Sequence, residues 1–232
     1  MAQGLALARL LPHSLTQEDR GRDSAGWQQR KSLATRNAML DAALMCLAED
    51  GYAGCSLQSV ANRAGISRGA MLHHYASKPD LMAAVVEYAF YRRMADYLDR
   101  IHALTEQERT EDVAGVQISY RVSRTAEYAA YLELHVASRT DPEMRAIFFD
   151  RARRYDRVWR DEIALAFPEW GGDPRLDLLN DYIWSVVEGL ALNIDIWDDA
   201  KRADALLLFV AETIRAVRAG TLSAGDISND RT

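Results

Sequence analysis

The residues best suited to recognition chemistry lie between Ser56 and Lys78, on the second of two short predicted helices. Met71 and Tyr75 are one turn apart in that helix and are expected to face the core. The free face, with His74 at its edge, then carries polar and small residues: Arg68, Gly69, Ala70, Leu72 and His73. A small helix of this kind, braced by another at a steep angle, has the geometry that fits a major groove. The expected chemistry is non-covalent contact with DNA.

Three signals in the sequence position this second helix. Ser56 can cap the first helix, Leu57–Ala64, whose apolar residues recur at the spacing of one buried face. Gly65 is expected to end that helix, since glycine adopts the left-handed conformation at little cost. Ser67 then caps the second helix, which is predicted from Arg68 to about Tyr75.

A helix ahead of this pair completes a predicted three-helix core. It is expected from about Arg30 to Glu49 and ends at Gly51. Its apolar stripe consists of Met39, Leu40, Ala43, Leu44 and Leu47. Thr35 lies near its start in a basic segment, where backbone amides and cations could meet a phosphate.

The helix behind the pair has a start marked in several independent ways. Ser77 can cap it, Pro79 falls in the first turn where its missing amide is harmless, and Asp80 can reach back as in a capping box. We predict a long helix from there to about Leu104, followed by a polar break over Thr105–Glu111. This helix would connect the front module to a rear one.

The rear of the chain is predicted to form further helices with short breaks at Pro, Gly and Asp. Their expected bounds are 111–120, 124–139, 142–167, 175–197 and 202–219. Strand signals are nearly absent. We therefore predict an all-α fold, with a three-helix helix-turn-helix module joined by a long helix to a helical C-terminal domain. The predicted boundaries are 1–27 for a mobile extension, 28–80 for the DNA-binding domain and 81–232 for the rear domain.

Charge is unevenly divided along the chain. Residues 28–80 hold six Lys/Arg against four Asp/Glu, a net charge of +2, whereas residues 81–232 hold 19 against 27, a net charge of −8. The overall net charge of −6 argues at first against a nucleic-acid binder. The split nevertheless suits a protein that touches phosphate with one end and keeps the other in solvent.

Other chemistries find little support in the sequence. The two cysteines, Cys46 and Cys55, have no His cluster at metal-ligand spacing, so we expect reduced thiols, no metal and no cofactor. No apolar run approaches the roughly 20 residues of a membrane span. The early segment LALARLLPHS lacks the features of a signal peptide. A cytoplasmic protein with no membrane partner is expected.

The last two predicted helices have heptad-like apolar spacing. The positions are Leu176, Leu179, Ile183, Val187, Leu190 and Ile194 in the first, and Leu206, Phe209, Val210, Thr213 and Val217 in the second. These side chains form either the core of one subunit or a subunit interface. We favour a four-helix homodimer interface, because a groove-reading helix pair gains affinity and register from a two-fold partner.

From about Thr35 to Leu81 the sequence resembles the TetR family of one-component transcriptional regulators. The matching segments, in the family's order and spacing, are TRNAMLDAALMCLAEDGY, the two-helix stretch and HHYASKPDL. Behind Leu81 only the helix count and the apolar final pair match. The resemblance implies a rear domain for ligand binding and dimerisation. It also implies a homodimer that binds an inverted-repeat DNA operator, usually to repress, and releases it when a small molecule enters the rear domain.

The resemblance further implies a set of DNA-facing residues. They are Ser56, Ser67, Arg68, Gly69, Ala70, Leu72, His73, His74 and Lys78. The two serines and the lysine would bind phosphates. Arg68, Ala70 and His73 are candidates for base edges, since arginine can grip guanine with two hydrogen bonds and an alanine methyl can touch thymine. For the two histidines the alternative is one solvated and one bracing side chain.

Leu72 departs from the family pattern. The family commonly places a tyrosine at this position, whose hydroxyl would reach a phosphate. Leucine has no hydroxyl, so either Leu72 makes an apolar contact in the groove or the site relies more on Arg68 and His73. The base preference is therefore open.

Large amphipathic side chains are frequent in the rear helices, and a pocket lined by them would suit an aromatic or lipophilic effector. The candidates are Tyr128, Tyr131, His135, Trp159, Trp184 and Glu188. His135 and Trp184 lead, because each lies amid otherwise apolar neighbours. The alternative is core packing for the aromatic residues and a solvated face for the acidic one.

Two other classes of protein compete with a ligand-responsive regulator. An all-α enzyme would use a pocket in the rear domain, but no Ser-His-Asp order, carboxylate pair, phosphate-binding glycine loop or metal constellation supports one. A DNA-binding corepressor would sense a protein partner in place of a small molecule. The sequence favours the regulator, most simply a repressor.

Overall fold

The computed structural model describes residues 25–109, 111–168 and 172–222, with side chains from residue 32 onward. The predicted extension 1–27 falls almost entirely outside these residues. The described chain contains no β-strand, which confirms the all-α prediction. Its helices are α1 Ala25–Gly54, α2 Leu57–Arg63, α3 Arg68–His74, α4 Lys78–His102, α5 Glu106–Arg109, α6 Asp112–Val122, α7 Ala126–Ala137, α8 Pro142–Ala166, α9 Arg175–Trp197 and α10 Ala200–Arg218. None of them is long and apolar enough to cross a membrane.

The chain packs as two compact units. The first contains residues up to 95 together with 126–159, and the second contains 96–125 and the residues from 160 onward. The chain passes between the units at three points, of which one lies in α4, one in α8 and one between α6 and α7. Helices α4 and α8 therefore contribute to both units. The functional boundary between residues 80 and 81 stays a prediction.

The first unit has its core around α1, as the apolar stripe predicts. Met39, Leu40, Ala43 and Leu47 are fully buried and Leu44 is 4% exposed. Apolar side chains from α2, α3, α4, α7 and α8 complete the same cluster. The helix begins about five residues before the predicted start, and its regular backbone breaks at the predicted glycine, where Gly51 has a φ of +70°.

The second unit has its core between α6, α9 and α10. The bounds of α9 are those predicted. Asp198 adopts a left-handed conformation with φ of +48°, and the Asp199 carboxylate accepts hydrogen bonds from the amides of Lys201 and Arg202. This turn sends α10 back along α9, so their apolar faces meet.

The polar break predicted over Thr105–Glu111 is wrong in one respect, because it contains the short helix α5. Glu108 Oε2 accepts the Thr105 amide at 2.8 Å, and Thr105 Oγ1 accepts the Glu108 amide at 3.3 Å. The Thr105 amide and hydroxyl both donate to the Glu108 carboxylate, and these two hydrogen bonds lower the pKa of Glu108. The Thr-x-x-Glu spacing of a capping box was the signal present in the sequence.

Candidate functional site

The turn between α2 and α3 sets the direction of the second helix. Gly65 has a φ of +66°, and the Ile66 amide donates to the Ala61 carbonyl at 3.0 Å. This is the long hydrogen bond of a Schellman motif. Ile66 also packs, partly buried, against the core of the first unit. Together the hydrogen bond and the apolar contact fix the angle at which α3 leaves α2.

Serine caps both helices, as the sequence predicts. Ser56 Oγ accepts the Ser59 amide at 3.1 Å, and Ser59 Oγ accepts the Ser56 amide at 2.8 Å. Ser59 thus takes the place that Glu or Gln usually has in a capping box. Ser67 Oγ accepts the Ala70 amide at 3.1 Å. The Ser67 oxygen is an acceptor in this bond, which leaves its O–H suited to donate to a phosphate.

Helix α3 buries one side and exposes the other. Met71 is fully buried and Tyr75, which follows the helix, is 6% exposed. The exposed residues are Arg68, Gly69, Leu72 and His73, whereas Ala70 and His74 are half-buried. The face is the one predicted, and its contact with DNA stays a prediction.

His74 lies at the edge of this face, beside α1. Burial lowers its pKa, and the positive charges of Arg36 and His73 lower it further. The rings of His73 and His74 meet edge to face with centroids 5.5 Å apart. Because a lowered pKa keeps the imidazole neutral at neutral pH, His74 suits the bracing role better than a charged phosphate contact. Thr35, also on α1, is half-buried.

The side chain of Lys78, at the start of α4, contacts Tyr52 in the same unit. Its ammonium donates to the Tyr52 carbonyl at 2.6 Å and lies 4.0 Å from the centre of the Tyr52 ring. The Tyr52 amide in turn donates to Glu133 Oε2 at 2.9 Å, and the Tyr52 hydroxyl donates to Asp141 at 3.3 Å. The predicted phosphate contact of Lys78 is untested and would use its other N–H donors.

The sequence carries no signal for the hydrogen bond between Tyr52 and Glu133. The two residues are 81 positions apart and share no motif. Gly51 permits the approach, since a Cβ at that position would lie 3.1 Å from Glu133 Oε2. The link ties the end of α1, which leads into the helix pair, to α7 within the first unit.

The Glu133→Ala variant is expected to lose about 1.5–3 kcal/mol of unfolding free energy, because a charge-assisted hydrogen bond to the Tyr52 amide disappears. Urea unfolding of the full chain measures this loss. Glu133→Gln is the matched control, because its amide oxygen can still accept the same hydrogen bond. Equal stability of the Ala and Gln variants would contradict the assigned role.

Gly65 and Gly115 form a second matched pair for unfolding measurements. A Cβ at either position meets no atom within 4 Å, but only Gly65 has a positive φ. Gly65→Ala should therefore cost about 1–2 kcal/mol of unfolding free energy. Gly115→Ala, within helix α6, should instead raise the free energy of unfolding by about 1 kcal/mol. The same sign for both variants would show that φ does not control the turn.

Part of the predicted dimer interface is buried within the single chain, and the interface itself stays a prediction. Leu179, Val187, Leu190, Ile194, Val210 and Val217 are at most 7% exposed within the chain itself. They form the core of the second unit, so they have little surface left for a partner. Leu176, Ile183, Leu206 and Thr213 are half-buried, and Phe209 is 63% exposed. Of the predicted set, Phe209 offers the most open side chain.

The predicted ligand residues are divided between the units. Tyr128, Tyr131 and His135 come together in the first unit, where His135 stacks on Phe148 with centroids 4.9 Å apart and Arg93 covers both tyrosine rings. These contacts are those of a packed aromatic cluster. Trp159 is also in the first unit and is half-buried.

The remaining two predicted ligand residues, Trp184 and Glu188, lie half-buried in the second unit. The ring of Trp184 is 5.8 Å from that of Tyr97. A cavity of about 70 Å³ lies in this unit, and Tyr97 is part of its wall. None of the six predicted residues lines this cavity.

The cavity combines an apolar wall with a charged rim. The apolar part includes Tyr97, Val116, Ile163, Leu179, Ile183 and Ile214. At the rim, the Asp112 carboxylate pairs with Arg218 at 3.0 Å and with Arg215 at 3.5 Å. Arg109 donates to the carbonyls of Ile101 and Ala166 at 3.0 and 3.2 Å. These pairings hold the charged groups in place around an apolar space.

Comparison with known proteins agrees with this architecture. The family model described as "Bacterial regulatory proteins, tetR family" matches residues 39–85, which include α2 and α3. The HTH-type transcriptional regulator CymR of Pseudomonas putida is 31% identical over 183 residues, covering 75% of this chain and 85% of that relative. The HTH-type transcriptional repressor AcnR of Corynebacterium diphtheriae is 26% identical over 183 residues, covering 78% and 92%.

The fold is also found among solved structures. A TetR-family transcriptional regulator from Rhodococcus sp. superposes with a TM-score of 0.59 at 20% identity, covering 78% of this chain and 98% of that one. The capped helix pair and its exposed α3 define a helix-turn-helix DNA-binding transcriptional regulator. The chain belongs to the TetR family.

Proposed function

We propose that this protein is a homodimeric repressor that binds an inverted-repeat DNA operator and leaves it when a small molecule binds its second unit. The observation that carries the proposal is the capped helix α3, which exposes Arg68, Leu72 and His73 while Met71 anchors it in the core. Membership of a family of transcriptional regulators supports the proposal, as does the presence of a repressor among the relatives.

The proposed dimer uses the outer faces of α9 and α10. Leu192 and Ile196 on α9 are 52% and 76% exposed, and Leu208 and Phe209 on α10 are 55% and 63% exposed. A cluster of large apolar side chains on neighbouring helices is typical of an interaction surface. A two-fold partner would cover it with the same surface from a second copy. Two copies of α3 would then face two half-sites about 34–36 Å apart.

The proposed effector site is the cavity of the second unit. Its apolar wall suits a small aromatic or lipophilic molecule, and its rim offers carboxylate and guanidinium groups for polar substituents. A molecule too large for this cavity would have to expand it. Expansion would shift α4, which contributes Tyr97 to the wall and leads back to the helix pair. Such a shift changes the spacing of the two recognition helices and releases the operator.

The Gly115→Leu variant should block effector binding, because Gly115 lines the cavity and has open space around it. Small aromatic and lipophilic molecules would be screened for those that raise the Tm of the parent protein. We expect Gly115→Ala to keep the Tm shift and Gly115→Leu to lose most of it. A compound that shifts all three proteins equally binds elsewhere and would contradict this site.

Recovery of bound genomic fragments by the full chain tests the proposed function. The recovered fragments are expected to share an inverted repeat, and a fragment carrying it should bind far more tightly than a shuffled fragment of equal length. Specific affinities are commonly about 10³-fold or more above non-specific ones. Fragments with no common sequence would overturn the proposal.

A further inference from the structure

We propose that Leu72 reads the methyl group of a thymine in each operator half-site. The inference rests on the proposed function, since it assumes that α3 enters the major groove of an operator. It assigns to Leu72 the direct recognition of one base.

Leu72 stands out in the helix pair by its exposure. It is 42% exposed, and no other large hydrophobic side chain between residues 56 and 78 is exposed. A single exposed leucine on an ordinary surface needs no explanation. Here, however, its neighbours on the same face are Arg68 and His73, the two side chains best able to reach base edges. An apolar group at this position would face the groove with them.

The helix backbone beside Leu72 is not covered by a side chain at Gly69. Gly69 precedes it by three residues, and a Cβ added there would have only Ser67 Oγ within 4 Å, at 3.9 Å. Helical side chains lean over the preceding turn, so Leu72 leans over Gly69, where no side chain rises. The result is an apolar patch close to the backbone, which a base edge can approach.

Thymine is the base whose chemistry fits this patch. Among the four bases, thymine is the one that presents a methyl group, its C5-methyl, in the major groove. The leucine side chain carries no donor or acceptor, so it cannot bind a phosphate or distinguish bases by hydrogen bonds. An apolar contact with the thymine methyl is therefore the way in which Leu72 can recognise a base.

The helix geometry limits how far this thymine can lie from the base that Arg68 contacts. Arg68 lies four residues before Leu72, which is about 6 Å along the helix axis. Successive bases of one strand are about 3.4 Å apart. We therefore expect the thymine within about two base pairs of the guanine that Arg68 contacts in the same half-site.

Replacement of single thymines by deoxyuridine tests the inference, because it removes only the methyl group. The full chain would be titrated with its recovered operator, substituted symmetrically at one thymine position of both half-sites at a time. We expect one position at which the substitution weakens binding of the parent by about 4- to 15-fold, in line with the loss of one buried methyl in each of the two half-sites. In the Leu72→Ala variant the same substitution should change affinity by less than about twofold.

Two further variants control the experiment. Leu72→Met keeps an apolar side chain and should retain sensitivity to the methyl, whereas Leu165→Ala removes an exposed leucine of α8 and should bind as the parent does. Insensitivity of the parent at every thymine, or sensitivity that persists in Leu72→Ala, would overturn the inference while leaving operator binding intact. If the parent prefers no sequence at all, the proposed function fails, and this inference fails with it.

Discussion

The Arg68→Ala variant is expected to fold normally and to lose most of its preference for the operator. Arg68 is exposed on α3, so its truncation removes no core contact. A bidentate contact between arginine and guanine contributes about 1–3 kcal/mol of discrimination. A dimer makes this contact twice, so the ratio of specific to non-specific affinity should fall by roughly 30-fold or more.

Fluorescence anisotropy with operator and shuffled DNA at one salt concentration measures this ratio. Arg63→Ala is the matched control, because Arg63 is an exposed arginine of the same module that pairs with Glu49 at 2.7 Å. The control should keep the parent's ratio within about twofold, since truncating a surface ion pair costs little. If Arg68→Ala also keeps the parent's ratio, α3 does not read the operator through this residue.

The Phe209→Asp variant is expected to be a folded monomer that no longer binds the operator tightly. Phe209 is 63% exposed in the single chain, so a polar residue is tolerated there before association. In the proposed dimer the carboxylate would be buried without a partner, and the two-fold axis doubles that cost. A penalty of about 2 kcal/mol per copy raises the dimer dissociation constant about a thousandfold.

Sedimentation of the full chain, alone and with operator DNA, distinguishes the two states. Leu165→Asp is the control, because Leu165 is a comparably exposed residue, at 67%, on α8 in the same unit. The control should remain dimeric and should bind the operator. A Phe209→Asp variant that remains dimeric at the parent's concentration would exclude this face as the interface.

The helix pair could be predicted in detail because its signals are local. Ser56 and Ser67 cap within three residues, and Gly65 turns the chain without help from distant residues. The periodicity of Met71 and Tyr75 fixes which side of α3 is buried. The same helical periodicity places Arg68 and Leu72 on the exposed side of α3. For this part of the chain, local physics determines both the fold and the candidate site.

The rest of the site depends on contacts that the sequence does not encode locally. Heptad-like spacing predicts an apolar face on α9 and α10, but it does not distinguish packing within a chain from packing between chains. The sequence alone therefore allows Leu190 and Val210 to lie either in the core of one chain or at a subunit interface. Their burial within the single chain places them in the core. The open residues Leu192, Ile196 and Leu208 lie outside the predicted set.

Long-range hydrogen bonds had no sequence signal of any kind. Lys78 fits the family's phosphate-binding position, yet its ammonium lies 2.6 Å from the Tyr52 carbonyl. Glu133 lies in the rear domain by sequence, yet it accepts the Tyr52 amide beside the helix pair. The predicted division at residue 80 takes no account of the contact between Tyr52 and Glu133, because that contact forms only when α7 packs along α1.

The most direct test of the central claim is an equilibrium titration of the full chain with its recovered DNA. The labelled fragment would be measured against unlabelled competitor of the same fragment and of a shuffled fragment, at one stated salt concentration. We expect two protomers per inverted repeat and at least about a 10³-fold preference for the recovered sequence. Equal competition by the two fragments would contradict it.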